Sequence, residues 1–131
     1  MTGGSAAMEL LAEVPDGCLV AARAASEKLG ESTVVLAMGG LLGVTDAFVI
    51  TTGRNPRQVR TIVEEVERQV KLAGGPSPSS IEGLDGLGWV LMDYGDFLVH
   101  VFAAETREFY DLERLWGDAP RVDWEASARI L

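Results

Sequence analysis

Three aspartates give the chain its best opening for chemistry. Asp46, Asp93 and Asp96 each fall at the boundary of a candidate strand, and carboxylates gathered at strand ends can hold Mg²⁺ for nucleotidyl transfer. That reaction calls for a Gly-Ser turn followed by Asp-x-Asp, which puts two carboxylates on one face of a strand. The sequence has no such pattern. The plainer reading makes Asp46 a turn residue and lets Asp93 and Asp96 flank the Tyr94-Gly95 turn. His100, the single histidine, lies between Val99 and Val101, which face the opposite way. It could act as a general base with Asp93 or Asp46, but a lone strand histidine is more often a hydrogen-bonded structural residue or part of a contact surface. Cys18 reads as a small buried hydrophobe, and one cysteine leaves no internal disulfide or multi-cysteine metal site. Gly39-Gly40 lacks the spacing and the following Lys-Ser/Thr of a phosphate loop. There is no Gly-x-Ser-x-Gly elbow, and one histidine excludes paired-histidine zinc motifs. The expectation is a chain without catalytic residues, metal or cofactor.

The remaining composition points to binding. A length of 131 residues, 47% of them hydrophobic, fits one domain with one core. Twenty acidic residues against eleven basic give a net charge of −9 and a pI near 4.5. Such a surface repels phosphate backbones and attracts a basic partner. No apolar run approaches a membrane span, and no secretory signal is visible at Met1–Ser5, so a cytoplasmic protein is expected. Trp89, Tyr94, Tyr110 and Trp116 fit either a core or a protein-docking surface, with core the better reading for Trp116.

Residues 1–17 read as an extension, mobile at its Gly-Gly-Ser start and helical from Ala6 to Val14. Residues 18–120 form the domain, and 121–131 a tail. A first helix is expected from Cys18 to Leu29, stopped by Gly30. Strands follow at Thr33–Met38 and Ala47–Thr52, joined closely enough for an antiparallel pair. Asn55-Pro56-Arg57-Gln58 opens a second helix with a capping residue, a first-turn proline and a capping-box glutamine. Val59, Ile62, Val63, Val66 and Val70 form its apolar stripe, with Glu64–Arg68 and Glu67–Lys71 pairs on the wet side. Residues 74–80 are loop. Trp89–Tyr94 and Phe97–Ala103 then form a hairpin through Gly95. A last helix covers Thr106–Trp116, with Phe109, Leu112 and Trp116 on one face. The order implies an α/β class, one mixed β-sheet flanked by helices.

Three strings make the sequence recognisable. Thr45-Asp46-Ala47-Phe48-Val49-Ile50 with Thr52-Gly53 and Arg57-Gln58-Val59 is the first. Glu82-Gly83 precedes the second, Trp89-Val90-Leu91-Met92-Asp93-Tyr94-Gly95-Asp96 with Val99-His100-Val101-Phe102. The third comprises Glu105, Arg107, Phe109-Tyr110, Leu112-Glu113 and Leu115-Trp116-Gly117-Asp118. In this order and spacing, from about Cys18 to Asp118, they resemble the Iojap / ribosomal silencing factor family. Arg54 and Pro56 depart from the family's usual helix opening, and the segment before Cys18 is longer than a minimal member needs.

The resemblance implies a nucleotidyltransferase-like core without an active site. It also implies binding to the large ribosomal subunit through its basic protein number fourteen, on the intersubunit face. A factor there blocks joining of the small subunit and lowers translation when nutrients fail. A homodimer when free is the further implication. By matching positions, the docking surface falls on Trp89, Leu91, Asp93, Tyr94 and Asp96, with His100, Glu105, Arg107, Phe109, Tyr110 and Glu113 behind them. For Phe109, Leu112 and Trp116, core is the favoured alternative. Asp46 and Arg57 are expected to fix a turn and the start of a helix. The competing functions are a large-subunit assembly factor and a cryptic metal-dependent nucleotidyltransferase.

Overall fold

A computed structural model describes residues 14–43 and 45–126. The expected helix at Ala6–Val14, apart from Val14, and the last five residues of the tail lie outside that range. In chain order the elements are α1 (Asp16–Glu27), β1 (Glu31–Ala37), α2 (Gly39–Leu42), β2 (Ala47–Gly53) and α3 (Pro56–Leu72). There follow β3 (Ser80–Glu82), β4 (Trp89–Asp93), β5 (Phe97–Ala103), α4 (Ala104–Tyr110), α5 (Leu112–Leu115) and β6 (Arg121–Val122).

The strands form one mixed sheet in the order β3-β4-β5-β2-β1-β6. The central β2–β5 pair is parallel and every other pair is antiparallel. All seven residues of β2 are buried, as expected of a strand covered on both faces. Helices α1 and α3 cover one face. Ala21, Ala22, Ala24 and Ala25 of α1 are fully buried, and side chains this small let the helix lie close to the sheet. Gly17 is part of the same fit, because a Cβ there would stand 2.8 Å from the Phe97 ring. The helix ends with Leu29 in the left-handed region at φ 64°. Gly30, the expected stop, donates to the Ala25 carbonyl at 2.8 Å, and a Cβ on it would collide with that carbonyl.

Helix α3 follows its sequence pattern. Val59, Ile62, Val63, Val66 and Val70 are its buried residues. Asn55 Oδ1 accepts from the Gln58 amide at 2.8 Å, and Gln58 Oε1 takes the Arg54 amide at 2.6 Å. Gln58 also donates from Nε2 to the Lys28 and Leu29 carbonyls, so one side chain caps α3 and ties it to the end of α1. Asn55→Ala removes only the first of these bonds, and chemical denaturation is expected to show a loss of about 1 kcal/mol. The expected i,i+4 pair at Glu64–Arg68 is replaced: Arg68 turns to Glu65, three residues back, at 2.8 Å.

Two boundaries move. The expected last helix is broken at Asp111, which adopts φ 48° and separates α4 from α5. Residues 121–126, read as part of a tail, continue the fold. Arg121 and Val122 pair with Leu36 and Val35 on β1, and Trp124 donates from Nε1 to the Thr33 carbonyl at 2.9 Å.

Candidate docking face

Strand β4 alternates in burial. Val90 and Met92 are fully buried under the helices, while Trp89, Leu91 and Asp93 are half-buried on the opposite face. Their neighbours across β5 are Phe102, His100 and Leu98, and β2 continues the same face with Thr52, Ile50 and Phe48. This second face has its own smaller core of Leu36, Met38, Phe48, Ile50, Phe102, Leu112 and Ala119, with Trp89, Leu98 and Trp116 packed at its border. Among the described residues, the short helices α4 and α5 border it. On the β4 side, Leu91, Asp93 and Leu98 remain half-buried.

Aromatic contacts set the shape of that region. Trp89 packs on Phe102 at 5.0 Å and on Tyr110 at 4.7 Å between ring centroids. Its Nε1 donates to His100 Nδ1 at 3.1 Å. His100 is 4% exposed and meets Phe48 edge-on at 4.6 Å; burial pushes its imidazole down to about 4. Trp116 is half-buried and meets Phe48 at 6.4 Å, so its expected core role holds in part. Phe109 does not follow that expectation: it is 78% exposed and, with Leu115 at 67%, leaves apolar surface beside Tyr110. The break at Asp111 turns Phe109 away from the face that buries Leu112.

The other candidates separate into distinct roles. Tyr94 leaves the proposed contact set. It shares strand parity with Val90 and Met92, stacks on Phe97 at 4.6 Å and is 7% exposed beneath the helices; burial raises its phenol to about 12. Asp93 Oδ1 accepts the Gly95 amide at 2.8 Å, and its carbonyl accepts the Ser79 amide. Asp96 is exposed, and its carbonyl accepts the Asp46 amide at 2.8 Å. Among the described residues no group of three or more His, Cys, Asp or Glu is arranged to hold a metal ion. The Asp93 side chain thus serves the Tyr94-Gly95 turn, while Asp46 and Asp96 are joined to each other through backbone atoms. Glu105 is exposed on α4.

Arg107 and Glu113 are committed internally. Arg107 pairs with Glu113 at 3.0 Å and donates to Thr52 Oγ1 at 2.8 Å and to the Glu31 carbonyl at 3.3 Å. Glu113 also receives Arg121 at 3.1 Å. This network fastens α4, α5 and β6 to the central strands and so sets where Tyr110 and Phe109 stand. Arg107→Met is expected to cost about 2 kcal/mol in urea unfolding, since it leaves a largely enclosed carboxylate with one partner fewer.

Charge is divided unevenly along the chain. Residues 14–72 carry seven acidic and seven basic side chains, whereas residues 73–126, which build the hairpin, α4 and α5, carry eleven acidic and three basic. Of those three, Arg107 and Arg121 are held by Glu113. On the β4 side, Glu82 and Asp93 share the face of Leu91, and Asp96 and Glu105 are exposed in the hairpin turn and on α4.

Matches to known proteins give the family and the fold. A family model described as ribosomal silencing factor during starvation matches residues 12–130. The chain belongs to the ribosomal silencing factor family. A ribosomal silencing factor of Bacillus subtilis is 41% identical over 104 residues, covering 79% of this chain and 87% of that protein. The chloroplastic Iojap protein of Zea mays is 33% identical over 108 residues, 78% of this chain and 44% of that one. A crystal structure from Chromobacterium violaceum superposes with a TM-score of 0.75 at 31% identity, covering 80% of this chain and 87% of the other. The second and third family strings meet in space where Trp89 of the hairpin packs on Tyr110 of α4. Leu98 and Leu115 joined no expected site, although the alternation of Leu98 with His100 and Phe102 signals a shared face.

Proposed function

We propose that this chain is a non-enzymatic anti-association factor of the cytoplasm, docking on the large ribosomal subunit through the open β4–β5 face and α4. The observation that carries this reading is that face itself: Trp89, Leu91 and Leu98 in its apolar centre, Phe109 and Tyr110 beside it, Glu105 and Asp96 around it. A basic ribosomal protein, number fourteen of the large subunit, suits it. Opposed charge speeds encounter and sets orientation, and a few desolvated aromatic and aliphatic anchors supply most of the affinity. A standard interface covers about 800 Å² of each partner, a modest share of the 7185 Å² surface of this domain.

Blocking then needs no chemistry. A chain of this length has a radius of gyration of about 14 Å, so a copy seated on the intersubunit face stands between the two subunits. Translation falls in proportion to the large subunits occupied, which suits a response to nutrient limitation. In the absence of ribosomes the chain pairs as a homodimer, in keeping with the exposed Phe109 and Leu115.

A second reading is assembly of the large subunit. It is favoured by a mouse protein named mitochondrial assembly of ribosomal large subunit protein 1, which is 36% identical over 75 residues, 55% of this chain and 32% of that one. Co-sedimentation with isolated mature large subunits, immature large-subunit particles and small subunits separates the two. Binding to mature large subunits, weakening as salt is raised, is the expected result. Capture by immature particles alone favours assembly, and no binding to any particle removes both readings.

A further inference from the structure

The docking face contains a buried hydrogen-bond donor whose position is fixed in advance. His100 Nδ1 accepts from Trp89 Nε1, so the neutral imidazole must carry its proton on Nε2. That Nε2–H is buried and finds no acceptor among the described residues. It sits at the end of the ring remote from the β5 backbone. Apolar groups surround it. Phe48 and Phe102 flank the ring, Ile50 and Leu91 are its neighbours on β2 and β4, and Leu98 lies two residues away on the same face of β5. An ordered water would need two to four polar partners, and these neighbours offer it none besides the imidazole. A buried donor without an acceptor is costly to keep, unless an acceptor arrives from outside.

We propose that His100 Nε2–H is a pre-set donor for a main-chain carbonyl of the basic polypeptide segment that seats on the Leu91–Leu98 face. The proposal rests on the docking function above and adds the contact that fixes register within it. A carbonyl is the acceptor that fits. Lysine and arginine side chains supply donors only, and a partner carboxylate would be repelled by Asp93 and Glu82 on the same face. Leu91 and Leu98, beside His100 on the same face, are half-buried, and a seated partner must displace whatever side chains cover Nε2. One directed bond in an apolar face discriminates sharply, because a misplaced partner leaves the donor buried and unpaired.

The test uses the full chain and isolated large ribosomal subunits. The single histidine gives one pair of ring-nitrogen NMR signals in the free protein, and they are expected to show a protonated Nε2 and a bare Nδ1. In sedimentation binding, His100→Asn keeps an acceptor near the Nδ1 position but has no donor near Nε2, and is expected to bind at least about tenfold more weakly. His100→Gln places an N–H near the Nε2 position and is expected to stay within about threefold of wild type. Circular dichroism first establishes that each variant is folded at the binding temperature. Equal affinity of the two variants overturns the proposal while leaving docking intact, whereas failure of the wild type to bind removes docking as well. Should neither variant fold, the tautomer decides, and a proton on Nδ1 overturns it.

Discussion

Leu91→Arg is expected to weaken binding to isolated large subunits by about a hundredfold or more while the domain stays folded. Leu91 is half-buried on the open side of β4, opposite His100, so an arginine there can direct its guanidinium into water in the free protein. In the complex the same charge must be desolvated against a basic partner and loses the apolar contact. Melting temperature should move by only a few degrees, since surface changes away from caps and cores cost about 0.5 kcal/mol. Leu91→Met, which keeps an apolar side chain of similar volume, should bind nearly as wild type. Equal affinity for Leu91→Arg and wild type would place the docking surface elsewhere.

Acid should weaken the fold through the same face. The imidazole of His100 is lowered from 6.5 to about 4 by burial. Between those values the unfolded chain binds a proton that the folded chain refuses, so stability declines as pH falls and is level above the window. The histidine contribution is roughly 3 kcal/mol across the full window and about 2 kcal/mol between about pH 7 and about pH 5. Glu65, lowered to about 2 by hydrogen bonds from Arg68 and Gln69, loses its stabilising influence only below its ordinary 4.5. The upper part of the slope therefore belongs to His100. Urea midpoints at a series of pH values should show the decline, and His100→Gln should flatten it above about pH 5. A wild-type midpoint unchanged between about pH 7 and about pH 5 would mean that the ring is protonated in place or is not buried.

The elements with strong local signals were legible in the sequence. Asn55, Pro56 and Gln58 announced α3, and its valine stripe named the buried face residue by residue, because capping and helical periodicity act within one turn. The hairpin was legible from Gly95 between two β-rich runs. Elements that depend on distant pairing were not. Ser80–Glu82 and Arg121–Val122 are too short to show a period, and exist because β4 and β1 offer them an edge. The break at Asp111 carries no glycine or proline; aspartate tolerates the left-handed region, and the Arg107–Glu113 pair holds the two helices about it.

At the site, strand parity held more than motif position did. The family string joins Trp89, Leu91, Asp93 and Tyr94, yet the alternation of Val90, Met92 and Tyr94 already placed the tyrosine on the helix side. Arg107 and Glu113 looked like surface charges because a sequence cannot show which carboxylate meets which guanidinium across six residues and a helix break. The acidic bias of residues 73–126 was in the sequence throughout, but which of those carboxylates share the face of Leu91 depends on strand pairing, which sets Glu82 opposite Leu91.

The most direct test of anti-association is subunit joining followed by light scattering, with purified large and small subunits and increasing amounts of the chain. The expected result is suppression that saturates at the concentration at which large subunits are filled, with Leu91→Arg leaving joining unaffected over the same range. Normal joining with every large subunit occupied would contradict the proposed function, because a bound domain that does not stand between the subunits cannot silence them.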